Sequence, residues 1–312
     1  MREKTGRVIK STGSWMDVLT DSGEIYECKI KGKFRIKGIR STNPVAVGDV
    51  VDFRVDRNHT GLITGIRERR NYIIRKSTKL SKASHMIAAN IDQAFLIVTL
   101  ALPRTSRGFI DRFLVTAEAY HIPATLVFNK IDLYDEELLK KHEEWLSVYS
   151  DCGYPAISVS AETQVNINSL KNALRDKTTL LAGHSGVGKT ALINALDPKQ
   201  NRKTGVLSEV HDKGKHTTTF AEMLHLDFGA EIIDTPGIKE FGLYDFNKEE
   251  VAERFPEMRE RMHECRFHNC THVHEPGCAV KDAVEQGEID EVRYKNYLSI
   301  IKDEYFDIKE WD

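Results

Sequence analysis

Two short motifs occur in an unusual order along this chain. The first is Asn129-Lys130-Ile131-Asp132, and the second is Gly183-His184-Ser185-Gly186-Val187-Gly188-Lys189-Thr190. The first suits a guanine ring, because a carboxylate accepts from N1–H and from the N2 amino group together. The second matches the G-x-x-x-x-G-K-[ST] loop that surrounds nucleotide phosphates. The fold must therefore bring two distant segments to one nucleotide.

Other nucleotide-binding elements follow the same rotated order. We call Asn129–Asp132 the base reader and Gly183–Thr190 the phosphate loop. Ser160-Ala161 comes after the base reader, whereas Thr217-Thr218-Thr219 and Asp234-Thr235-Pro236-Gly237 come after the phosphate loop. In ordinary small GTPases the phosphate loop comes first and the base reader last. The order therefore predicts a circularly permuted GTPase domain that selects GTP over ATP.

The residues around the phosphate loop have distinct expected roles. Lys189 would contact the β- and γ-phosphates, and the Thr190 hydroxyl would bind Mg²⁺. Asp234 would hold the same ion through water, and the Gly237 N–H would meet the γ-phosphate. The full nucleotide-binding set is Asn129, Lys130, Ile131, Asp132, Ser160, Ala161, Gly183, His184, Ser185, Gly186, Val187, Gly188, Lys189, Thr190 and Ala191.

The switch residues are less clearly defined. One threonine of 217–219 should supply a further Mg²⁺ ligand, and we favour Thr218. His216 either helps to orient the attacking water or is an ordinary surface histidine. Ile238 follows Gly237, where a Ras-like enzyme has its water-positioning Gln. We therefore expect slow intrinsic hydrolysis that needs a partner for speed.

The N-terminal segment has the pattern of a small β-barrel. Runs rich in Val, Ile, Tyr and Phe are separated by Gly, Asn, Asp and Ser; they are Arg7–Lys10, Trp15–Leu19, Glu24–Ile30, Val50–Val55 and Leu62–Ile66. An OB-fold is favoured, although an SH3-like barrel would give the same pattern. The basic connection Lys31–Arg40, with one aromatic residue, suits phosphate contact and base stacking.

The middle of the chain shows a βαβ rhythm. Ala94–Leu100 and Ala124–Phe128 are apolar runs typical of parallel strands buried on both faces. Helical periodicity covers Ile110–Tyr120 and Glu136–Tyr149. Further strands are expected at Ala156–Val159, Thr178–Ala182 and Glu231–Asp234, and a helix at Ala191–Leu196. Residues 71–90 are interpreted as a polar, basic connector, and the chain beyond 244 as mostly helical.

Charge is distributed unevenly. Residues 1–85 contain 19 Lys and Arg against 9 Asp and Glu, whereas the remainder contains 26 against 38. A basic N-terminal module indicates a polyanionic partner, which is RNA, DNA or an acidic membrane surface. The N-terminus lacks the apolar stretch of a signal peptide, and no apolar run approaches the length of a membrane span. We expect a cytoplasmic protein without a membrane partner.

Three of the five cysteines cluster with histidines. Cys265, Cys270, His272 and Cys278 form a Cys₃His set, which is typical of a closed, structural Zn²⁺ site. His268 and His274 are the alternatives for the nitrogen ligand. A cluster of this kind in a cytoplasmic chain favours metal over disulfides.

These elements together resemble one family, the circularly permuted, ribosome small subunit-dependent GTPase A (RsgA/YjeQ) family. The similarity extends over essentially the whole chain. It includes the permuted order, Lys215-His216-Thr217-Thr218-Thr219 and the zinc segment ending in Glu275-Pro276-Gly277-Cys278-Ala279-Val280. Two departures are His184, where Gln is more usual, and the absence of glycines after Ser160-Ala161.

The resemblance implies a multidomain fold with an N-terminal OB-fold β-barrel, a central α/β P-loop GTPase domain and a helical zinc domain. We expect residues 1–72 to form the barrel, 73–90 a linker, 91–243 the GTPase domain and 244–312 the zinc domain. The resemblance also implies a monomeric GTPase that uses GTP/GDP, Mg²⁺ and one Zn²⁺. It would act late in maturation of the 30S ribosomal subunit, bind 16S rRNA and be stimulated by the subunit.

Two other functions fit the residues. The chain would be an RNA-binding chaperone if GTP were mainly a structural ligand, and the missing glutamine favours that interpretation. Alternatively, it would be a GTPase that acts on another RNA, such as tRNA.

Overall fold

The N-terminal strands close into a barrel in this computed structural model, which describes residues 2–30, 44–76, 84–202, 221–234 and 248–302. The strands are β1 (Arg2–Ser11), β2 (Trp15–Leu19), β3 (Ile25–Ile30), β4 (Val50–Val55) and β5 (Gly61–Ile66). They pair in the order β1-β2-β3-β5-β4, and β4 pairs again with β1. β3 and β5 are parallel, whereas the other neighbours are antiparallel. This order is that of an OB-fold, which excludes the SH3-like alternative.

Alternating side chains fill the barrel. Every second residue of β2 and of β3 is buried, and these residues pack with Val8, Val51, Phe53 and Ile63. The strand period of two therefore places one face of each strand in the core and leaves the other at the surface. The basic connection Lys31–Arg40 lies outside the described residues.

A hairpin follows the barrel where we predicted only a polar connector. β6 (Tyr72–Lys76) and β7 (Ser84–Ala89) pair antiparallel as a separate sheet. Ile73 and Ala88 are buried with Val47 in the core of the central domain. These short apolar pairs are surrounded by basic and polar residues, so composition alone concealed the strands.

A mixed sheet forms the centre of the molecule, with the order β10-β9-β8-β11-β13-β12. In chain order its elements are β8 (Gln93–Val98), α1 (Arg107–Ala119), β9 (Ala124–Phe128), α2 (Glu136–Asp151), β10 (Ala156–Ser158), α3 (Ile167–Leu174), β11 (Thr178–Ala182), α4 (Lys189–Leu196), β12 (Glu222–His225) and β13 (Glu231–Asp234). β12, which was not predicted from the sequence, runs antiparallel to β13, and all other pairings in this part are parallel.

Helices cover both faces of this sheet. Ala94, Leu96 and Val98 of β8 pack in one cluster with α1 and α2. Phe95 and Ile97 pack in the other cluster, with α3 and α4. Because each face buries its alternate residues, the strand reads as a continuous apolar run. This explains why β8 and β9 were predictable from sequence.

The barrel and the central sheet are hydrogen-bonded to each other. Lys10 of β1 pairs with Glu222 of β12, which makes one continuous sheet of eleven strands. The Arg7 guanidinium adds an ion pair of 2.5 Å to Glu231 and a hydrogen bond of 2.9 Å to the hydroxyl of Thr178. The barrel is thereby attached to the outer side of the central sheet: Glu222 lies opposite Asp234, whereas Arg7 contacts the first residues of β11 and β13.

The C-terminal segment is helical and packs on α1. Its helices are α5 (Lys248–Val251), α6 (Pro256–Arg259), α7 (Ala279–Glu285) and α8 (Glu291–Ile301). Val115 of α1 belongs to the apolar cluster of these helices. Within the described residues, every helix is too short or too polar to cross a bilayer.

A buried ion pair fixes this packing. The Arg293 guanidinium of α8 lies 2.6 Å from the Asp111 carboxylate of α1, and both side chains are almost fully buried. Arg293 also pairs with Glu257 of α6, and the Tyr149 hydroxyl donates to Asp111. Such a pair adds little net stability, but leaving one partner unpaired costs about 3–5 kcal/mol. Any arrangement of the C-terminal helices that separated Arg293 from Asp111 would therefore be disfavoured.

Candidate nucleotide and metal sites

The nucleotide motifs meet at the carboxyl ends of the central parallel strands. The base reader follows β9, Ser160-Ala161 follows β10, the phosphate loop follows β11, and Asp234 ends β13. Because these strands are parallel, their carboxyl ends lie on the same side of the sheet, which is where open α/β sheets bind ligands. Circular permutation changes the order of the segments but not their place in the sheet.

The phosphate loop depends on glycine at two close contacts. Gly183 and Gly188 have φ values of 144° and 95°, which L side chains rarely adopt. A Cβ atom at Gly188 would lie 2.4 Å from the Nδ2 atom of Asn129, and one at Gly183 would lie 2.8 Å from the carbonyl oxygen of Ile97. The loop therefore fits directly against the base reader. Ser185 and Gly186 at its tip are exposed, while Val187 is buried.

Lys189 and Thr190 lie in the first turn of α4, directly after the loop. The Lys189 ammonium donates to the carbonyls of Gly183 at 2.6 Å and His184 at 2.9 Å. An ammonium has three donors, so one remains for a phosphate oxygen. Burial lowers the pKa of Lys189, and the charge of Asp234 opposes that shift. The following residue, Ala191, continues the helix.

Asn129 joins the three nucleotide-binding segments. Its Nδ2 donates to the carbonyl of Val187 in the phosphate loop at 2.8 Å. Its Oδ1 accepts from the backbone N–H of Ala161 at 3.3 Å. The side chain is 1% exposed, so both bonds are shielded from water. The Tyr134 hydroxyl, which the sequence analysis missed, donates to the Asn129 carbonyl.

Asp132 is held in position by a serine. The Ser160 hydroxyl, which is fully buried, donates to Oδ1 of Asp132 at 2.5 Å. Lys130 has a left-handed backbone with φ 64°, and its ammonium donates to the carbonyl of Leu102. A short 3-10 helix, Ile131–Leu133, follows. This bond orients the exposed carboxylate, which recognition of a guanine edge requires.

His184 packs away from the loop tip. Its ring lies 3.8 Å, centroid to centroid, from the ring of Phe109 in α1, at an interplanar angle of 32°. His184, where Gln is more usual in the family, thus places a tilted aromatic contact at this position of the loop. Phe109 carries no local signal that would have identified it from sequence.

Asp234 is the only predicted Mg²⁺ carboxylate, and it is buried. Burial raises its pKa, while the charges of Arg202 and Lys189 lower it. Arg202 pairs with it at 2.9 Å and was not identified from sequence. The other switch predictions fall outside the described residues: His216, Thr217, Thr218, Thr219, Thr235, Pro236, Gly237 and Ile238.

The predicted zinc ligands come together in the C-terminal segment. The ligand atoms of Cys265, Cys270, His272 and Cys278 all lie within 4.8 Å of one another. Nδ1 of His272 is 3.3 Å from Cys278 Sγ and 3.7 Å from Cys265 Sγ, and the two sulfurs are 4.0 Å apart. Ligands of a tetrahedral Zn²⁺ are separated by about 3.5–3.8 Å. The donor set therefore fits one zinc ion, while the alternatives His268 and His274 are exposed.

Neighbouring groups hold this cluster in shape. The Glu275 carboxylate accepts from the Thr271 hydroxyl and from three backbone N–H groups, and these bonds hold its pKa far below its usual value. The Tyr294 hydroxyl of α8 donates to the carbonyl of His272. Burial lowers the pKa of His272, which favours the neutral imidazole that a metal binds.

Gly188→Ala tests the contact between the phosphate loop and the base reader. We expect GDP affinity to fall at least about tenfold, because the methyl group displaces Asn129 from Val187 and strains a positive φ. Titration with a fluorescent GDP analogue measures this affinity. Gly153→Ala is the matched control, with φ 84° and open space around the new methyl group. Wild-type affinity in Gly188→Ala would contradict the geometry.

Comparisons with known proteins agree with this arrangement. The family model for the RsgA GTPase matches residues 66–244, and that for the RsgA N-terminal domain matches residues 5–63. A relative from Christiangramia forsetii, named small ribosomal subunit biogenesis GTPase RsgA, is 53% identical over 302 residues, which is 96% of each chain.

Solved structures match over nearly the full length. The crystal structure of YjeQ from Thermotoga maritima has a TM-score of 0.77 and 36% identity, covering 97% of this chain and 98% of that one. The structure of YloQ, described as a circularly permuted GTPase, has a TM-score of 0.72 and 30% identity, covering 99% and 98%. The circular permutation predicted from motif order is thereby confirmed, and this chain belongs to the RsgA GTPase family.

Proposed function

We propose that this chain is a GTPase that assists biogenesis of the small ribosomal subunit by hydrolysing GTP to GDP and phosphate. The observation that carries the proposal is the buried Asn129 side chain, which bonds to the phosphate loop and to Ala161 at once. A base reader and a phosphate loop joined in this way serve a single guanine nucleotide. The printed name of the 53% identical relative supports the ribosomal context.

The site residues receive the following proposed roles. Asp132 reads guanine, and Ser160 orients it. The backbone N–H groups between Gly183 and Ala191 surround the phosphates, and Lys189 neutralises them. Thr190, Asp234 and Thr218 would hold Mg²⁺, which offsets the charge that develops during phosphoryl transfer.

Partner stimulation follows from the residue after the Asp-Thr-Pro-Gly switch. Ile238 cannot orient water through a side-chain amide. His216 is the proposed substitute, and the Gly237 N–H would contact the γ-phosphate. We therefore propose slow turnover by the free protein and faster turnover on the 30S subunit. A chaperone that uses GTP only structurally would show no such acceleration.

The barrel is the proposed contact with 16S rRNA. Residues 1–72 contain 15 Lys and Arg against 9 Asp and Glu, and the Lys29 ammonium lies 3.9 Å from the centroid of the half-buried Trp15 ring. An aromatic face next to cations suits RNA bases and phosphates. We propose that the protein acts as a cytoplasmic monomer, in domains of residues 1–72, 91–243 and 244–312 with a connector of residues 73–90. The hairpin of β6 and β7 forms much of that connector.

One structural Zn²⁺ is the proposed occupant of the Cys265, Cys270, His272 and Cys278 cluster. Four protein ligands close the coordination sphere, so the ion would stabilise the fold and would not activate water. The loop that carries these ligands is bonded to α8, the helix that also contributes Arg293 to the contact with α1. Zinc would thus support the docking of the C-terminal helices.

GTP hydrolysis with and without isolated 30S subunits tests the proposed function. We expect at least about a tenfold rise in turnover with subunits, since they would supply the missing orientation of water. Lys189→Ala should abolish turnover under both conditions. Lys199→Ala, which removes an exposed lysine just beyond α4, should behave as wild type. Turnover that does not respond to subunits would contradict the ribosomal assignment.

Cys270→Ser tests the zinc site. We expect about one zinc per chain in the wild type, and loss of that zinc with a fall in melting temperature of at least about 5 °C in the variant. Elemental analysis and thermal unfolding measure the two effects. Cys152→Ser removes a half-buried cysteine outside the cluster and should keep its zinc. Equal zinc content in the two variants would refute the assignment.

A further inference from the structure

Arg202 lies between two carboxylates at the edge of the nucleotide site. One terminal nitrogen of its guanidinium is 2.9 Å from Oδ2 of Asp234, and the other is 2.8 Å from Oε2 of Glu222. The Arg202 side chain is 20% exposed and that of Asp234 11%. Because the pair is largely shielded from water, it attracts more strongly than a surface ion pair. Asp234 therefore has a protein cation as its partner.

The backbone of Arg202 is fixed as firmly as its side chain. Its N–H donates to Oδ1 of Asn194 at 2.9 Å, and its carbonyl accepts from Nδ2 of the same asparagine at 2.8 Å. Asn194 lies four residues after Thr190 in α4, so the two share one face of the helix. Arg202 is thus anchored to the helix that begins with the phosphate-binding lysine.

We propose that Arg202 is a positioning residue that holds Asp234 in the nucleotide-free protein and competes with Mg²⁺ for this carboxylate. The inference rests on the proposed function, in which Asp234 serves Mg²⁺. A dication near Asp234 repels the guanidinium, so occupation by Mg²⁺ and the Arg202–Asp234 pair oppose each other. Glu222 provides a second carboxylate that retains the guanidinium when Asp234 is released.

The arrangement has two consequences for binding. Arg202 compensates the charge of the buried Asp234 carboxylate while Mg²⁺ is absent. Without such a partner, a buried carboxylate would be strongly destabilising. It also sets how much Mg²⁺ is needed to hold GDP, since the ion must displace a bound cation. Glu222 tunes this competition, because it shares the guanidinium with Asp234.

Arg202→Gln is the direct test, measured as the Mg²⁺ concentration that gives half-maximal retention of a fluorescent GDP analogue. We expect this midpoint to fall about three- to tenfold, because the competing cation is gone. Arg202→Lys keeps the cation and should restore a midpoint near the wild-type value. Lys199→Ala removes an exposed lysine that pairs with Asp227, outside the Arg202, Asp234 and Glu222 network, and should leave the midpoint unchanged. An unchanged or raised midpoint in Arg202→Gln overturns the inference.

Glu222→Gln provides a second test in which Arg202 remains in place. With only Asp234 to pair with, Arg202 should hold it more tightly, and the Mg²⁺ midpoint should rise. A lowered or unchanged midpoint overturns the inference. In the double variant Arg202→Gln with Glu222→Gln, the effect of the second change should be smaller than in the wild-type background. An undiminished effect would mean that Glu222 acts without Arg202, which also overturns the inference.

Asp234→Asn separates this inference from the proposed function. If that variant raises the Mg²⁺ midpoint while Arg202→Gln leaves it unchanged, Asp234 serves Mg²⁺ and only the competition fails. If Asp234→Asn leaves the midpoint unchanged, the Mg²⁺ role of Asp234 fails and the competition fails with it. Thermal unfolding of nucleotide-free protein gives an independent readout, because Arg202→Gln should destabilise this form more than the form bound to Mg²⁺ and GDP.

Discussion

The hydrogen bond from Asn129 to the carbonyl of Val187 is the contact on which the nucleotide site depends. It joins a segment after β9 to a segment after β11, and it is almost fully buried. Gly188 must lack a side chain for that bond to form. The base reader and the phosphate loop are therefore one structure, although they are far apart in the chain. This explains how circular permutation preserves the site. The positions of the strand ends determine the geometry of the site, and the order of the strands along the chain does not affect it.

The flanking regions attach to elements that border this site. The barrel joins the sheet through the pairing of β1 with β12, and β12 carries Glu222, the second partner of Arg202. The C-terminal helices dock on α1 through Arg293 and Asp111, and the same helix presents Phe109 to His184 of the phosphate loop. Both the proposed RNA-binding region and the proposed zinc region thus contact the nucleotide site through one intervening element.

Much of this architecture could be predicted from local patterns. The buried strands β8 and β9 read as apolar runs, and the Cys₃His set was recognisable by its spacing. The OB-fold that we favoured is confirmed, although the strand pattern alone did not distinguish it from an SH3-like barrel. The hairpin of β6 and β7 was missed because polar residues dominate its composition. Arg202 and Phe109 were missed because their partners are distant in sequence and no motif marks them.

The central claim is that Asp132 and the phosphate loop act on one guanine nucleotide. The most direct measurement compares the affinities of Asp132→Asn for GDP and for xanthosine diphosphate. An amide at this position donates to the O2 atom of xanthine and accepts from N1–H, whereas it loses the second acceptor that guanine needs. We expect at least about a tenfold loss of GDP affinity and tighter binding of the xanthine nucleotide than of GDP. Unchanged affinity for GDP would contradict this claim.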